Sequence, residues 1–371
     1  MSKNSKPRTQ NSRLLSLDVF RGITVAAMIL VNNPGDWGHI YAPIEHSKWN
    51  GCTLADLIFP SFLFIVGVSI VYSMERKIAS PSNHAKMIWT ALRRGIILIA
   101  ISLVIQLILH PGFEHLRFPG VLQRIGVVFF ICAVLYIKAS ERVRDWLFVF
   151  LLIGYYVLMS FIPVPDTGVA SLNPETNMGA WLDRTVFTTN HLWSESHTWD
   201  PEGLLGTLPA IATGLFGIRA GSWLKRKDRE DSVKVSWLFT WGVLAVVSGL
   251  IWDLFFPINK ALWTSSFVLF TGGWATIALA LSYWLVDVQG YKRFTGFFLP
   301  FGANAITAYI LSDFVPHYFN KIKIGGSSVY QILFQSHYSP NNASLANAIL
   351  MMLLVWVLTW ILYIRKIFIK V

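Results

Sequence analysis

The chain has 371 residues, of which 54% are hydrophobic and 14% charged, with a formal net charge of +11 and a mean hydropathy of +0.51. This balance excludes an ordinary soluble domain. The basic residues sit at the ends of apolar runs, where orientation signals belong, so the positive charge is not a nucleic-acid surface. The two cysteines, Cys52 and Cys132, imply neither a disulfide framework nor a metal site.

Residues 1–13 are polar and read as a frayed tail. Ten apolar runs of near the ~20 residues that span a bilayer follow, at 14–33, 55–74, 91–110, 119–137, 145–163, 204–222, 235–252, 263–286, 296–315 and 344–364. The expected fold is therefore all-α, a polytopic membrane helical bundle forming one transmembrane domain over 14–371. The longer connections, 34–54, 164–203 and 316–343, all fall on one side. Of the basic residues at the ends of the runs, between them and in the tails, 22 fall on the side of the termini and 6 on the long-loop side (Lys48, Arg117, Arg184, Lys260, Lys321 and Lys323). The positive-inside rule then places both termini in the cytoplasm and the long loops outside.

Charged groups within a bilayer are costly unless paired or solvated, so each is a functional candidate. In the first run, Asp18 and Arg21 lie three positions apart on one helix face. They form either a structural ion pair or a receiver for an anionic cofactor arriving from the cytoplasm. The run ends at Asn32-Asn33 before Pro34-Gly35. Asn32 either caps the helix or holds a reacting carbonyl and orients a catalytic group.

The loop that follows reads His46-Ser47-Lys48-Trp49-Asn50-Gly51, with Asp56 at the start of the second run. Histidine exchanges protons near neutrality, and a carboxylate on its other nitrogen fixes the tautomer and raises basicity. His46 and Asp56 are thus a candidate base and its orienter, with His39 as the rival histidine. In the fourth run, Gln123 and Arg124 lie in an apolar setting. Arg124 is expected either to pair with a carboxylate such as Asp18 or Asp313, or to bind a phosphate or a pantetheine carbonyl. Asp200 and Glu202 precede the sixth run, where carboxylates cap helices. Alternatively these acids attract an ammonium group while Trp49, Trp193 or Trp199 offers a face to a sugar ring. Asn304, with Asp313 and His317, adds polar groups to the ninth run.

Several motifs, taken together, are specific. They are Asp18-Val19-Phe20-Arg21-Gly22, Val31-Asn32, His46-Ser47-Lys48-Trp49-Asn50-Gly51, Ala55-Asp56-Leu57-Ile58-Phe59-Pro60, and Pro119-Gly120-Val121-Leu122-Gln123-Arg124. To these are added Asp200-Pro201-Glu202-Gly203-Leu204-Leu205-Gly206-Thr207, Pro257-Ile258-Asn259-Lys260-Ala261-Leu262-Trp263 and Lys366-Ile367-Phe368. In this order the chain resembles the heparan-alpha-glucosaminide N-acetyltransferase family over nearly its whole length.

That resemblance implies a transmembrane acetyltransferase in a bacterial inner membrane, moving the acetyl group of cytoplasmic acetyl-CoA to a glucosamine-type amine on the periplasmic side. It implies His46 as the catalytic histidine, a homodimer, and no metal. Expected roles are Asp56 and Asn32 beside His46, Asp18, Arg21, Gln123, Arg124 and Asn304 for the acetyl-CoA, and Trp49, Asn50, Trp199 and Glu202 for the sugar. Animal members carry a luminal domain before the membrane core that has no counterpart here, which favours a smaller amino sugar. The competing expectations are a transporter of a sugar or lipid-linked sugar, and an O-acetyltransferase of a cell-wall glycan.

Overall fold

The computed structural model describes residues 14–369, so the tail expected at 1–13 lies outside the described residues. The architecture is all-α and polytopic. Twelve α-helices follow in order: α1 Leu15–Asn32, α2 Ile58–Ile78, α3 His84–Leu109, α4 Val121–Lys138, α5 Glu141–Phe161, α6 Met178–Phe187, α7 Thr207–Leu224, α8 Asp231–Asp253, α9 Ser265–Tyr283, α10 Thr295–Ala303, α11 Ala305–Phe319 and α12 Pro340–Ile364. A two-residue antiparallel hairpin, Lys323–Ile324 with Ser327–Ser328, lies in the last long connection. The helices alternate in direction. The starts of α1, α3, α5, α8 and α10 therefore gather at one end of the bundle (the basic end), and the three long connections gather at the other (the loop end).

Among the described residues, eight helices are long and apolar enough to cross a bilayer. The pair α10 and α11, bent by 88° at Asn304, makes a ninth when the two are taken as one broken span. The run at 296–315, expected as one span, is thus a broken one. Hydropathy is continuous across the break, so composition cannot register it. The break is held by tertiary bonds instead: Asn304 Nδ2 donates to Ile367 O at 3.2 Å, and its Oδ1 accepts from Ile369 N at 3.1 Å. Non-helical backbone at such depth is tolerated where protein or a cavity satisfies it.

The tenth run corresponds to α12, but the sixth, α7, falls short of the apolarity of a lipid-facing span. Its sequence, Thr-Leu-Pro-Ala-Ile-Ala-Thr-Gly-Leu-Phe-Gly-Ile-Arg-Ala-Gly-Ser-Trp-Leu, is rich in small residues, and most of its circumference is buried. A helix walled by other helices needs close packing rather than oily side chains. The contact with α2 is built on glycine: a Cβ on Gly67 would lie 2.1 Å from Gly214 O, and one on Gly217 would lie 2.0 Å from Phe64 O. By contrast α3, α5 and α8 turn Trp89, Ile96, Val104, Trp146, Phe150, Leu244 and Ile251 outward, as lipid-facing helices do. The same close approach joins α1 to α10, where a Cβ on Gly302 would meet Asp18 O at 1.9 Å. This contact brings the break in the ninth span against the charged pair of α1.

Candidate active site

At the loop end, the connection after α1 and the segment before α9 are tied together. Gly51 N donates to Ile258 O at 2.7 Å, and Asn259 Nδ2 donates to Asn50 Oδ1 at 3.1 Å. Trp49 Nε1 donates to Leu172 O at 3.1 Å, fastening the same connection to the loop between α5 and α6. Asn50, expected to touch sugar, instead serves this clamp. The clamp delivers Lys260 to a histidine 214 positions earlier in the chain.

His46 and Asp56 meet as expected, with Nδ1 2.7 Å from Asp56 Oδ1. A carboxylate accepts only, so Nδ1 carries a proton, and in the neutral ring Nε2 keeps its lone pair. The orienter is itself fixed: Asp56 Oδ2 accepts from Ser47 N and Thr53 N, each at 3.0 Å, and from Thr53 Oγ1 at 3.2 Å. The Asp56 side chain is fully buried, whereas that of His46 is 35% exposed. Lys260 Nζ lies 3.3 Å from Asp56 Oδ1 and 3.5 Å from His46 Nε2. Its 3.0 Å approach to the protonated Nδ1 is not a hydrogen bond, because both atoms are donors. The ammonium is therefore an ion-pair partner of Asp56 that overlooks the reactive ring nitrogen.

A cavity of about 630 Å³ opens at this group and reaches down the bundle to the basic half. That volume is within the range of ligand pockets, roughly 300–1,000 Å³. Its loop-end wall includes Asn32, His46, Trp49, Asp56, Arg117, Trp193, Trp199, Glu202, Lys260 and Asp313; toward the basic end it is lined by Arg21, Ser69, Ser73, Arg94 and Gly302. Arg21 Nη1 donates to Asp18 Oδ1 at 3.1 Å and to Gly302 O at 3.3 Å, while Nη2 donates to Ser69 Oγ at 2.7 Å. The structural ion pair of α1 is present, and it presents its guanidinium to the cavity. Asn32 is exposed at the end of α1, and the helix is capped by Asn33 instead, whose Nδ2 donates to Ile29 O at 2.8 Å.

Three tryptophans frame the mouth. Trp199 meets Trp49 edge-on at 5.0 Å and Trp193 at 5.3 Å between ring centroids. Beside them Arg117 Nε and Nη2 grip Asp200 at 2.7 and 2.6 Å, and Nη2 also donates to Glu202 Oε2 at 2.5 Å. The two acids do not cap α7: its preceding residue is Gly206 and it has no side-chain cap. Burial works against the charge of Arg117, but Asp200 and Glu202 outweigh it and hold the guanidinium above the ordinary arginine value. Arg117 is thus shared between two carboxylates, and Lys48 and Lys260 line the same end of the cavity.

Other expected residues lie elsewhere. Arg124 is 2% exposed and does not line the cavity. Its Nη2 donates to Gly203 O at 2.9 Å, and its guanidinium lies 5.0 Å from the Trp263 ring centroid. The expected carboxylate partners, Asp18 and Asp313, are not what it bonds. It also sits in the first turn of α4, at the loop end rather than the basic end. Gln123 is buried beside it, outside the cavity wall. Asn304 acts behind the wall by holding the segment whose Ile369 reaches the cavity. His39 pairs with Asp36 at 2.7 Å on the exposed surface, away from the cavity. The Cys52 thiol is pushed up to about 12, chiefly by burial, which argues against a nucleophile.

Lys260, Arg117, Arg94 and Asp313 carry charge into this cavity, and sequence reasoning gave the first three no role beyond topology. The motif containing Lys260 was visible, but nothing in its spacing points to His46.

Behind the tryptophans, Asp183 of α6 is 2% exposed and accepts from Leu204 N at 2.9 Å. Burial first, then the charge of Asp200, pushes its carboxyl up to about 7. Because the folded value lies above the ordinary 3.8, the folded chain binds the extra proton. Its contribution to stability then falls as pH rises from about 4 through about 7 and is level beyond. Asp183→Asn is expected to remove this slope: Tm of the wild type drops from about pH 5 to about pH 8 relative to the variant, measured by thermal unfolding in one detergent.

The family model "Heparan-alpha-glucosaminide N-acetyltransferase, catalytic" matches residues 13–250. The chain is 31% identical to the human heparan-alpha-glucosaminide N-acetyltransferase, over 97% of this chain and 60% of that protein. It is 32% identical to the mouse protein of the same name, over 86% of this chain and 56% of that one. It thus spans somewhat over half the length of these relatives. The matched region includes His46, Asp56, Arg21, Arg94 and the rim acids, and the chain belongs to the heparan-alpha-glucosaminide N-acetyltransferase catalytic family.

Proposed function

We propose that this chain is a membrane N-acetyltransferase that moves the acetyl group of acetyl-CoA across the bilayer to the amine of a glucosamine-type sugar. The observation that carries the reading is the continuity of one cavity, from Arg21 and Arg94 in the basic half to His46 and the tryptophan rim at the loop end. Guanidinium groups suit the phosphates of acetyl-CoA, and Ser69, whose oxygen accepts from Arg21, adds a hydroxyl donor. Arg124 and Gln123, behind the wall, have a structural part in this reading. The basic end is cytoplasmic and the loop end periplasmic, in a bacterial inner membrane, and residues 14–371 act as one catalytic domain. Family resemblance is the support for a homodimer.

At the loop end Nε2 of His46 removes one proton from the sugar ammonium, and the nitrogen attacks the thioester carbonyl. The C–N bond forms as the C–S bond breaks. The second proton of the nitrogen neutralises the departing thiolate, and the proton on His46 passes to water at the open mouth. Lys260 supplies positive charge to the developing oxyanion, and Asn32 holds the carbonyl. Trp49 and Trp199 offer faces to the ring, and Glu202, shared with Arg117, adds a carboxylate beside them.

The test is transfer across a sealed membrane. With labelled acetyl-CoA inside proteoliposomes and glucosamine outside, labelled N-acetylglucosamine is expected outside and free CoA inside. Uptake of unmodified glucosamine without acetyl-CoA would instead make the chain a transporter. Acetylation that occurs only when both substrates share one compartment would remove the transmembrane route.

A further inference from the structure

The cavity wall carries three carboxylates: Asp56, Glu202 and Asp313. Two of them have cations of their own. Asp56 has Lys260 at 3.3 Å and the His46 ring, and Glu202 has Arg117 at 2.5 Å. Asp313 has no ion-pair partner and no hydrogen-bond donor among the described residues. It is half-buried on α11, and Tyr309, one turn below on the same face, also lines the cavity.

A carboxylate held among apolar helices without a partner is costly. Such a group persists where a ligand satisfies it. Its place in the fold indicates which ligand. From the break at Asn304, α11 climbs toward the loop end, and Asp313 lies about 13 Å along it by helical rise. It therefore faces the upper half of the cavity, beyond Arg21 and Gly302, which meet at the break. Anionic phosphates belong below, beside Arg21 and Arg94. An acidic group above repels them and attracts a cation.

We infer that Asp313 is the residue by which the cavity selects its acceptor as a cation, taking a sugar that bears an ammonium group over its neutral hydroxyl counterpart. This rests on the acetyl-transfer reading above. Asp313 meets the protonated amine and holds it in the upper cavity, and His46 then takes the proton that frees the nitrogen for attack. Glu202 cannot fill this place alone, because Arg117 already occupies it. The assignment also separates two acceptor chemistries, since a hydroxyl acceptor gains nothing from an unpaired carboxylate.

The experiment compares binding of glucosamine and glucose to the full chain, for the wild type, Asp313→Asn and Asp313→Glu, with acetyl-CoA binding measured in parallel. A charge-assisted hydrogen bond leads the wild type to prefer glucosamine by roughly 10- to 100-fold. Asp313→Asn should bring the two sugars close to parity, Asp313→Glu should restore part of the preference, and all three should bind acetyl-CoA alike. An undiminished preference in Asp313→Asn, or none in the wild type, overturns the inference. If Asp313→Asn also loses acetyl-CoA binding, the Asp313→Glu arm decides: part of the preference kept with acetyl-CoA still bound supports the inference, and loss of the preference there overturns it. A wild type that prefers glucosamine yet transfers no acetyl group refutes the acetyl-transfer reading and leaves this inference standing.

Discussion

His46→Ala is expected to lower acetyl transfer by about 10²- to 10⁴-fold, the span typical of losing a positioned acid–base group. The expectation follows from the bonding of the ring. Its Nδ1 is engaged by Asp56 at 2.7 Å, so Nε2 is the one ring atom free to accept a proton. The same atom would form the bond if the acetyl group were carried briefly on the histidine, and the substitution tests both routes. His46 is 35% exposed in its side chain, and its removal opens space at the mouth without uncovering core. Acetyl-CoA binding, proposed above at Arg21 and Arg94, should persist. The assay is initial rate with labelled acetyl-CoA and glucosamine, beside acetyl-CoA affinity for the same preparation. A His46→Ala chain with wild-type rate refutes the site.

Asp56→Asn is expected to have a comparable effect by a different cause. Asp56 Oδ2 accepts from Ser47 N, Thr53 N and Thr53 Oγ1. An asparagine must keep its carbonyl oxygen toward these donors, which turns its amide nitrogen to His46. The ring then has to accept at Nδ1, and its proton moves to Nε2, the atom meant to be bare. Wrong-tautomer substitutions of this kind cost up to about 10⁴-fold in kcat in a serine protease triad. Here the loss is expected at about 10²- to 10⁴-fold in kcat with little change in KM for acetyl-CoA. The substitution also leaves Lys260 facing an amide donor in place of a carboxylate. Proton NMR of the labelled histidine separates the two chemistries: the variant should carry its ring proton on Nε2. An Asp56→Asn chain with normal kcat would show that tautomer control has no part in the reaction.

The helices were legible because burying backbone in lipid imposes long apolar runs, and nine of the ten expected runs coincide with helices or a broken pair apolar enough to cross. The exception, α7, is a helix at the expected place whose small residues answer to its neighbours rather than to lipid. The His46–Asp56 pair was legible because loop and helix start lie ten positions apart and the two side chains suit each other. Arg124 was legible only as a residue in need of a partner. That partner proved to be a backbone carbonyl and an indole face, which no residue type in the sequence advertises. Lys260 was counted among the loop cations, and its meeting with His46 depends on the Asn50–Asn259 clamp.

For this chain, then, the sequence alone determined that it is an all-α polytopic protein, where most of its spans lie to within several residues, and which loop carries a histidine with its orienting carboxylate. Those properties are local or compositional: hydropathy, periodicity, and the chemistry of near neighbours. Only the tertiary structure decided which charges face one cavity, that Arg21 does and Arg124 does not, that the ninth run breaks at Asn304, and that Asp313 lines the cavity without a partner among the described residues. These depend on helix rotation and on contacts between segments hundreds of positions apart. Such contacts are settled by packing at Gly67, Gly217 and Gly302, where one added methyl group would push the helices apart.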